Sequence, residues 1–218
     1  MSTLLDRQRF YWNRTVSDFD SIYSQEKSFV GKLLDKIFRN DMYGRFDYTF
    51  RKSAPVVGKT FLDIGCGTGR YAIEFARQGA SKVVGLDIAE KMIEVCKDRS
   101  QKEGLSKNMF FYHTDLLTFQ EKEKYDICIG IGLFDYIQNP TPVVQKMFEY
   151  TNGCSIMSFP RFYTWRAPIR KIRLYLKKCD VYFFTKTEIE KILKNAGFKK
   201  YEIVKVGQLF CVTAFPSA

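Results

Sequence analysis

The sequence predicts a doubly wound α/β domain built on seven strands, and three observations carry that prediction. Short apolar segments of strand length alternate with helical stretches over residues 56–198, the pattern of a mainly parallel sheet covered by helices. The first strand runs straight into an Asp and three glycines on alternate positions, Asp63-Ile-Gly65-Cys66-Gly67-Thr68-Gly69. The second strand ends on another acid, Asp87, 24 positions after Asp63, a spacing that fits one βαβ unit.

Residues 1–55 precede this core and read as a helical cap, with Phe29, Val30, Leu33, Leu34, Ile37 and Phe38 forming an apolar stripe. Val56, Val57, Phe61, Leu62 and Ile64 supply the first strand. From Thr68 the pattern turns helical, placing Tyr71, Ala72, Phe75 and Ala76 on one face. Strands are expected at Lys82–Leu86, Asn108–Thr114, Asp126–Ile131 and Cys154–Phe159, with helices at 89–102 and 142–150. Pro140 and Pro142 suit the start of the latter helix. A helix at Thr187–Asn195 ends at Gly197, and Lys199–Val206 with Leu209–Phe215 read as two last strands turning at Gly207-Gln208. The chain therefore reads as one domain, 1–218, with the cap at 1–55, the core at 56–218 and a basic lid at about 160–180.

Glycines at 65, 67 and 69 let backbone approach a ligand with no Cβ in the way. A dinucleotide fingerprint would need glycine where Arg70 stands, which disfavours a pyrophosphate seated on the helix. Asp63 suits a cofactor that presents a positive amine, since a carboxylate would repel phosphates. Asp87, at the tip of the second strand, is placed to accept from a ribose diol. Each acid also has a plainer use: Asp63 beside Arg70, Asp87 as N-cap of the next helix, and Asp115 as cap of the turn that follows it.

Asp63 to Gly69, Asp87, Tyr112-His113-Thr114-Asp115-Leu116-Leu117 and Tyr125-Asp126 to Asp135-Tyr136 together resemble the four ordered motifs of the class I S-adenosylmethionine-dependent methyltransferases. The resemblance covers residues 56–150 and implies a Rossmann-like seven-stranded methyltransferase sheet with S-adenosyl-L-methionine as cofactor. It implies cofactor contacts from Asp63, Gly65, Cys66, Gly67, Gly69, Asp87, Ile88, Met92, Asp115, Leu116 and Gly130, the Asp115 carboxylate accepting from the adenine amine. Small-molecule members carry an aromatic-Asp-x-x-x-Tyr stretch whose tyrosine closes over the cofactor; Asp18 to Tyr23 is similar, and Tyr23 becomes a candidate for both cofactor contact and catalysis. His113 and Tyr136 are the other catalytic candidates; Tyr136 stands where many relatives have histidine.

Methyl transfer from a sulfonium has a neutral leaving group, so alignment of the acceptor is the main demand. A base is needed only when the acceptor carries a proton at neutral pH. The acceptor side is marked by Arg161, Trp165, Arg166 and Arg170, in a stretch free of acids between Glu149 and Asp180 and interleaved with aromatics. That composition suits a small or lipid-like acidic acceptor, with peripheral contact to a membrane surface through the lid, or else a solvated basic face. Over the second half, Ser158-Phe-Pro-Arg161, Phe184 to Glu190 and Asn195-Ala-Gly-Phe198 resemble the magnesium-protoporphyrin and ubiquinone-type O-methyltransferase branch.

A net charge of +11 keeps an RNA methyltransferase as the alternative. Against it, the fourth strand runs into Gly132-Leu-Phe-Asp135 rather than the Asp/Asn-Pro-Pro-aromatic tetrad of base methyltransferases. A non-catalytic cofactor-binding partner subunit is the third reading, opposed by intact glycines and acids. Six scattered cysteines without a C-x-x-C pair, and a single histidine, point to reduced, partly buried thiols and to no metal site. No apolar run approaches a membrane span and the N-terminus lacks a signal-peptide core, so a cytoplasmic location is expected.

Overall fold

The computed structural model describes residues 4–16, 29–162, 164 and 179–216, with backbone alone at 4 and 29–40. One seven-stranded sheet organises them. In chain order its strands are β1 (Thr60–Ile64), β2 (Lys82–Asp87), β3 (Met109–His113), β4 (Tyr125–Gly130), β5 (Thr151–Pro160), β6 (Lys200–Val206) and β7 (Leu209–Phe215). They lie side by side as β3-β2-β1-β4-β5-β7-β6. The first five are parallel and β7 runs antiparallel between β5 and β6. The strand order reverses direction between β1 and β4, and an open sheet binds ligands at that switch point, outside the carboxyl ends of its strands.

The helices are α1 (Leu4–Arg14), α2 (Phe29–Ser53), α3 (Arg70–Arg77), α4 (Glu90–Lys102), α5 (Thr141–Tyr150) and α6 (Lys186–Asn195). Strand alternation sorts the apolar side chains into two cores. Leu62, Val84, Cys128 and Met157 point to one face, under Val144 and Met147 of α5 and Ile189 and Leu193 of α6. Phe61, Val83, Ile127 and Ile156 point to the other, under Phe75 of α3 and Ile93 and Cys96 of α4. Burying each of these large side chains contributes about 1.5–3 kcal/mol, which is why a period-two pattern fixes the register so firmly.

Several expected boundaries move by a residue or two. The largest shift is at β1, which starts at Thr60 rather than Val56. Val57 is three-quarters exposed, and the amide of Lys59 donates back to the Val56 carbonyl at 3.1 Å in a turn through Gly58. Val56 is buried nonetheless, as a plug beneath the sheet rather than a strand residue. Thr185 supplies the capping box for α6, its hydroxyl accepting from the Glu188 amide while the Glu188 carboxylate accepts from the Thr185 amide.

The C-terminal half of the long α2 explains why the cap stays on the core. Phe50 packs on Phe75 at 4.5 Å between ring centroids, Phe75 stacks on Phe61 at 4.0 Å, and the Tyr48 hydroxyl meets Thr213 Oγ1 at 2.8 Å. At the same end, Asp41 Oδ1 accepts from the Gln208 amide at 3.0 Å, tying α2 to the β6–β7 turn. The side chains of the expected stripe at 29–38 lie outside the described residues, as do Asp18 to Tyr23 and most of the basic lid, including Trp165, Arg166 and Arg170. Among the described residues no helix is long and apolar enough to cross a membrane.

Candidate active site

Carboxyl ends of β1, β2 and β4 bring the glycine loop and its acids together. Hydrogen bonds shape the loop: the amides of Gly65 and Cys66 both donate to the Leu86 carbonyl, at 2.8 and 3.0 Å, and Gly69 donates to Cys66. Gly65 and Gly69 take φ of +69° and +79°, a region that disfavours a side chain. Space forbids one as well. A Cβ on Gly65 would lie 2.9 Å from Leu133 Cδ1, and one on Gly69 would lie 3.0 Å from Cys96 Sγ.

Asp63 is 2% exposed, and its Oδ2 has no hydrogen-bond partner. Burial, and then the charge of Asp87, push its carboxyl up to about 8, offset only by the Ala72 amide. An acid that sits uncompensated in a core is costly unless a cation completes it. Asp87 is better supplied. Its Oδ2 accepts from the Gly67 amide at 2.9 Å and its Oδ1 from the Ala89 amide at 2.8 Å. Burial still raises its carboxyl, while those amides and the nearby His113 lower it. Each of its oxygens retains a second lone pair, enough for two hydroxyl donors.

The remaining expected residues fall on the same rim in different postures. Ile88 is half-buried, while Met92 and Leu116 are buried at 1% and 3%. Asp115 does cap the turn that follows it: its Oδ1 accepts from the Leu117 amide at 2.8 Å, and its carbonyl from Thr118 and Phe119. Gly130 ends β4. His113 is exposed at the edge strand, its Nε2 3.0 Å from the Ile88 carbonyl, beside Asp87 and away from β4. Arg161, half-buried after β5, donates from Nη1 to the Gly207 carbonyl at 2.8 Å and lies over the Phe210 ring.

Helix α1 is the part of the site that the sequence reading did not find. Its Gln8 Nε2 donates to the Tyr136 carbonyl beyond β4, and its Asn13 Oδ1 accepts from the Lys91 amide in the first turn of α4. Trp12 meets the Tyr136 ring edge-on at 5.0 Å between centroids. Thus α1 bridges the segment after β4 and the segment after β2, the two sides of the switch point. Gln8 and Trp12 are four residues apart on one helix face, the signal that a pass over residues 4–14 could have used. Arg45 of α2 is a second such residue; a Cβ on Gly132 would lie 2.9 Å from its Nη1.

An alternating sheet of this order, with a glycine cradle and paired acids at its switch point, defines the α/β fold of the class I methyltransferases. Residues 55–203 match the model of the methyltransferase domain family, and the chain belongs to that family, the class I enzymes that use S-adenosylmethionine. It is similar to an uncharacterised protein of Haemophilus influenzae, 36% identical over 106 residues, covering 46% of this chain and 42% of the relative. It is also similar to the ubiquinone biosynthesis O-methyltransferase of Shewanella pealeana, 26% identical over 134 residues, covering 61% and 53%. The chain thus spans about half the length of these relatives. Among solved structures, magnesium protoporphyrin IX methyltransferase from Synechocystis, with bound SAH, superposes with a TM-score of 0.78 at 23% identity over 98% of this chain and 99% of that one. That likeness is one of fold.

The residues present fit S-adenosylmethionine. The unpartnered oxygen of Asp63 suits an ammonium group, the spare lone pairs of Asp87 suit ribose hydroxyls, and the glycine cradle leaves room for backbone contact.

Proposed function

We propose that this chain transfers the methyl group of S-adenosylmethionine to an oxygen of a small or lipid-like acidic acceptor. The observation that carries the cofactor half is Asp63, a buried acid with one oxygen left for a cation and a carboxyl raised to about 8. Support for the acceptor half is chemical and comparative. Arg161 opens a segment rich in arginine and free of acids, and a curated relative is named as an O-methyltransferase.

In this reading the bound cofactor supplies an electrophilic methyl on a sulfonium whose departure leaves a neutral thioether. Asp63 holds the ammonium, and Asp87, fixed by the amides of Gly67 and Ala89, orients the ribose. Asp115 spends one lone pair of Oδ1 on the Leu117 amide, which leaves acceptor capacity for an adenine contact. His113, bonded to the Ile88 carbonyl on the ribose side, positions the turn after β2 instead of serving as a base. Tyr136, held by Gln8 and Trp12, frames the acceptor side together with Arg161. A carboxylate acceptor needs no base, and alignment alone then lowers the barrier.

Incubation of the protein with methyl-labelled cofactor and a fractionated cell extract tests the reading. Label is expected in a small-molecule or lipid fraction, in a product that mild alkali hydrolyses as an ester or that retains an ether methyl. Label confined to RNA, or to protein, overturns the acceptor assignment.

A further inference from the structure

We propose that Cys66 and Cys96 form a reversible disulfide that weakens cofactor binding, so that the glycine loop carries an oxidisable thiol pair. The loop thiol and the α4 thiol lie with their sulfurs 4.0 Å apart, and Cys96 Sγ donates to the Gly67 carbonyl at 3.1 Å. Both side chains are buried, at 7% and 0% exposure. The other four cysteines, at 128, 154, 179 and 211, are buried. The Cys66 and Cys96 thiols both face the Gly67 carbonyl of the glycine loop.

The step balances with a peroxide as oxidant. Cys66, the less buried of the two residues, attacks the peroxide oxygen; an S–O bond forms, the O–O bond breaks and one water leaves. Cys96 then attacks the Cys66 sulfenic acid, forming the S–S bond and releasing a second water. Two thiols are oxidised and one peroxide is reduced to two waters. The hydrogen bond with Cys96, and then burial, hold the Cys66 thiol well above its ordinary range, so the first step is slow at neutral pH.

Geometry gives the consequence. The sulfurs must close from 4.0 Å to about 2.05 Å. Cys96 is buried in α4 and Cys66 in the loop between Ile64 and Thr68, so closure strains that loop against the helix. That loop holds the Gly67 amide on Asp87, and its displacement disturbs the carboxylate proposed to orient the ribose. This consequence rests on the proposed cofactor site; the disulfide itself does not.

The experiment treats the full chain with hydrogen peroxide, with and without S-adenosylhomocysteine, and maps it by non-reducing tryptic mass spectrometry. Cys66 and Cys96 fall on separate peptides, residues 60–70 and 92–97, so a linked pair is unambiguous. Calorimetry on the same samples is expected to show affinity for S-adenosylhomocysteine at least about tenfold weaker after oxidation, restored by dithiothreitol. The ligand is expected to suppress the linkage. Cys96→Ser, with Cys96→Ala as a second variant if the first folds poorly, is expected to give no linked peptide. Absence of the linked peptide overturns the proposal, as does a linked protein that binds as well as the reduced one. Failure of the reduced protein to bind S-adenosylhomocysteine would instead overturn the cofactor site, with the linked peptide still reporting on the cysteine pair.

Discussion

Lowering the pH from 8 to 6 should weaken cofactor binding by protonating a group that no substrate titration would otherwise reveal. In the cofactor-free protein, burial and Asp87 hold the Asp63 carboxyl up to about 8. Binding an ammonium on Asp63 Oδ2 requires the carboxylate, so below pH 8 each binding event must release about one proton. The α-amino group of the ligand, ordinarily titrating at about 7.7–8.0, must be protonated in the complex, so above that range a proton is taken up. Affinity is therefore expected to peak near pH 8. With those two values it falls about twentyfold between pH 8 and pH 6. Calorimetry of S-adenosylhomocysteine binding in buffers of different ionisation enthalpy counts the protons directly. At pH 6.5 the expectation is release of close to one proton by the parent and none by Asp63→Asn. The same substitution should stabilise the empty protein, because the folded state holds the Asp63 proton more tightly than the unfolded chain does. That preference lowers stability as pH rises from about 4 to 8, by at most about 1.4 kcal/mol per pH unit, and asparagine removes it. Affinity independent of pH between 6 and 8, or unchanged in Asp63→Asn, would refute the ammonium assignment.

Asp87→Ala should cost about 1.5–3 kcal/mol of cofactor affinity, the scale of charge-assisted hydrogen bonds, and an unchanged calorimetric Kd in the folded variant would remove it from the ribose role. Trp12→Ala should lower stability by only about 1–2 kcal/mol, since the ring is half-buried, yet reduce turnover more than the melting temperature suggests; equal turnover would make α1 a plain cover. Replacing Arg166, Arg170 and Arg173 with glutamine should spare cofactor affinity and depress acceptor use. An RNA acceptor would show a steep salt dependence that the variant flattens, whereas a small acid would show a shallow one in both.

The proposed cofactor end of this molecule is legible in the sequence because its chemistry is local. Asp63, the three glycines and Asp87 lie within 25 residues, and their strand-loop-helix spacing is dictated by one βαβ unit. The strand positions were legible for the same reason, period-two burial being written into each segment; β1 was overextended only because Val56 is apolar for a plug and not for a ladder. The proposed acceptor end is assembled differently. Tyr136 meets Trp12 across 124 positions, Asp41 meets Gln208 across 167, and Arg161 reaches the Gly207 carbonyl across 46. No window on the sequence contains such pairs, and each partner alone has an ordinary composition. Asp115 shows the remaining case, in which both readings were open and the turn cap is visibly made. A carboxylate has about four acceptor sites on its two oxygens, and capping uses one of them, so the cap and the proposed adenine contact do not compete. The same economy governs Asp87, where backbone amides occupy one lone pair on each oxygen and thereby fix the direction of the second. Asp63 lacks that support on Oδ2, which is why its proton, rather than that of Asp87, should report on the ligand.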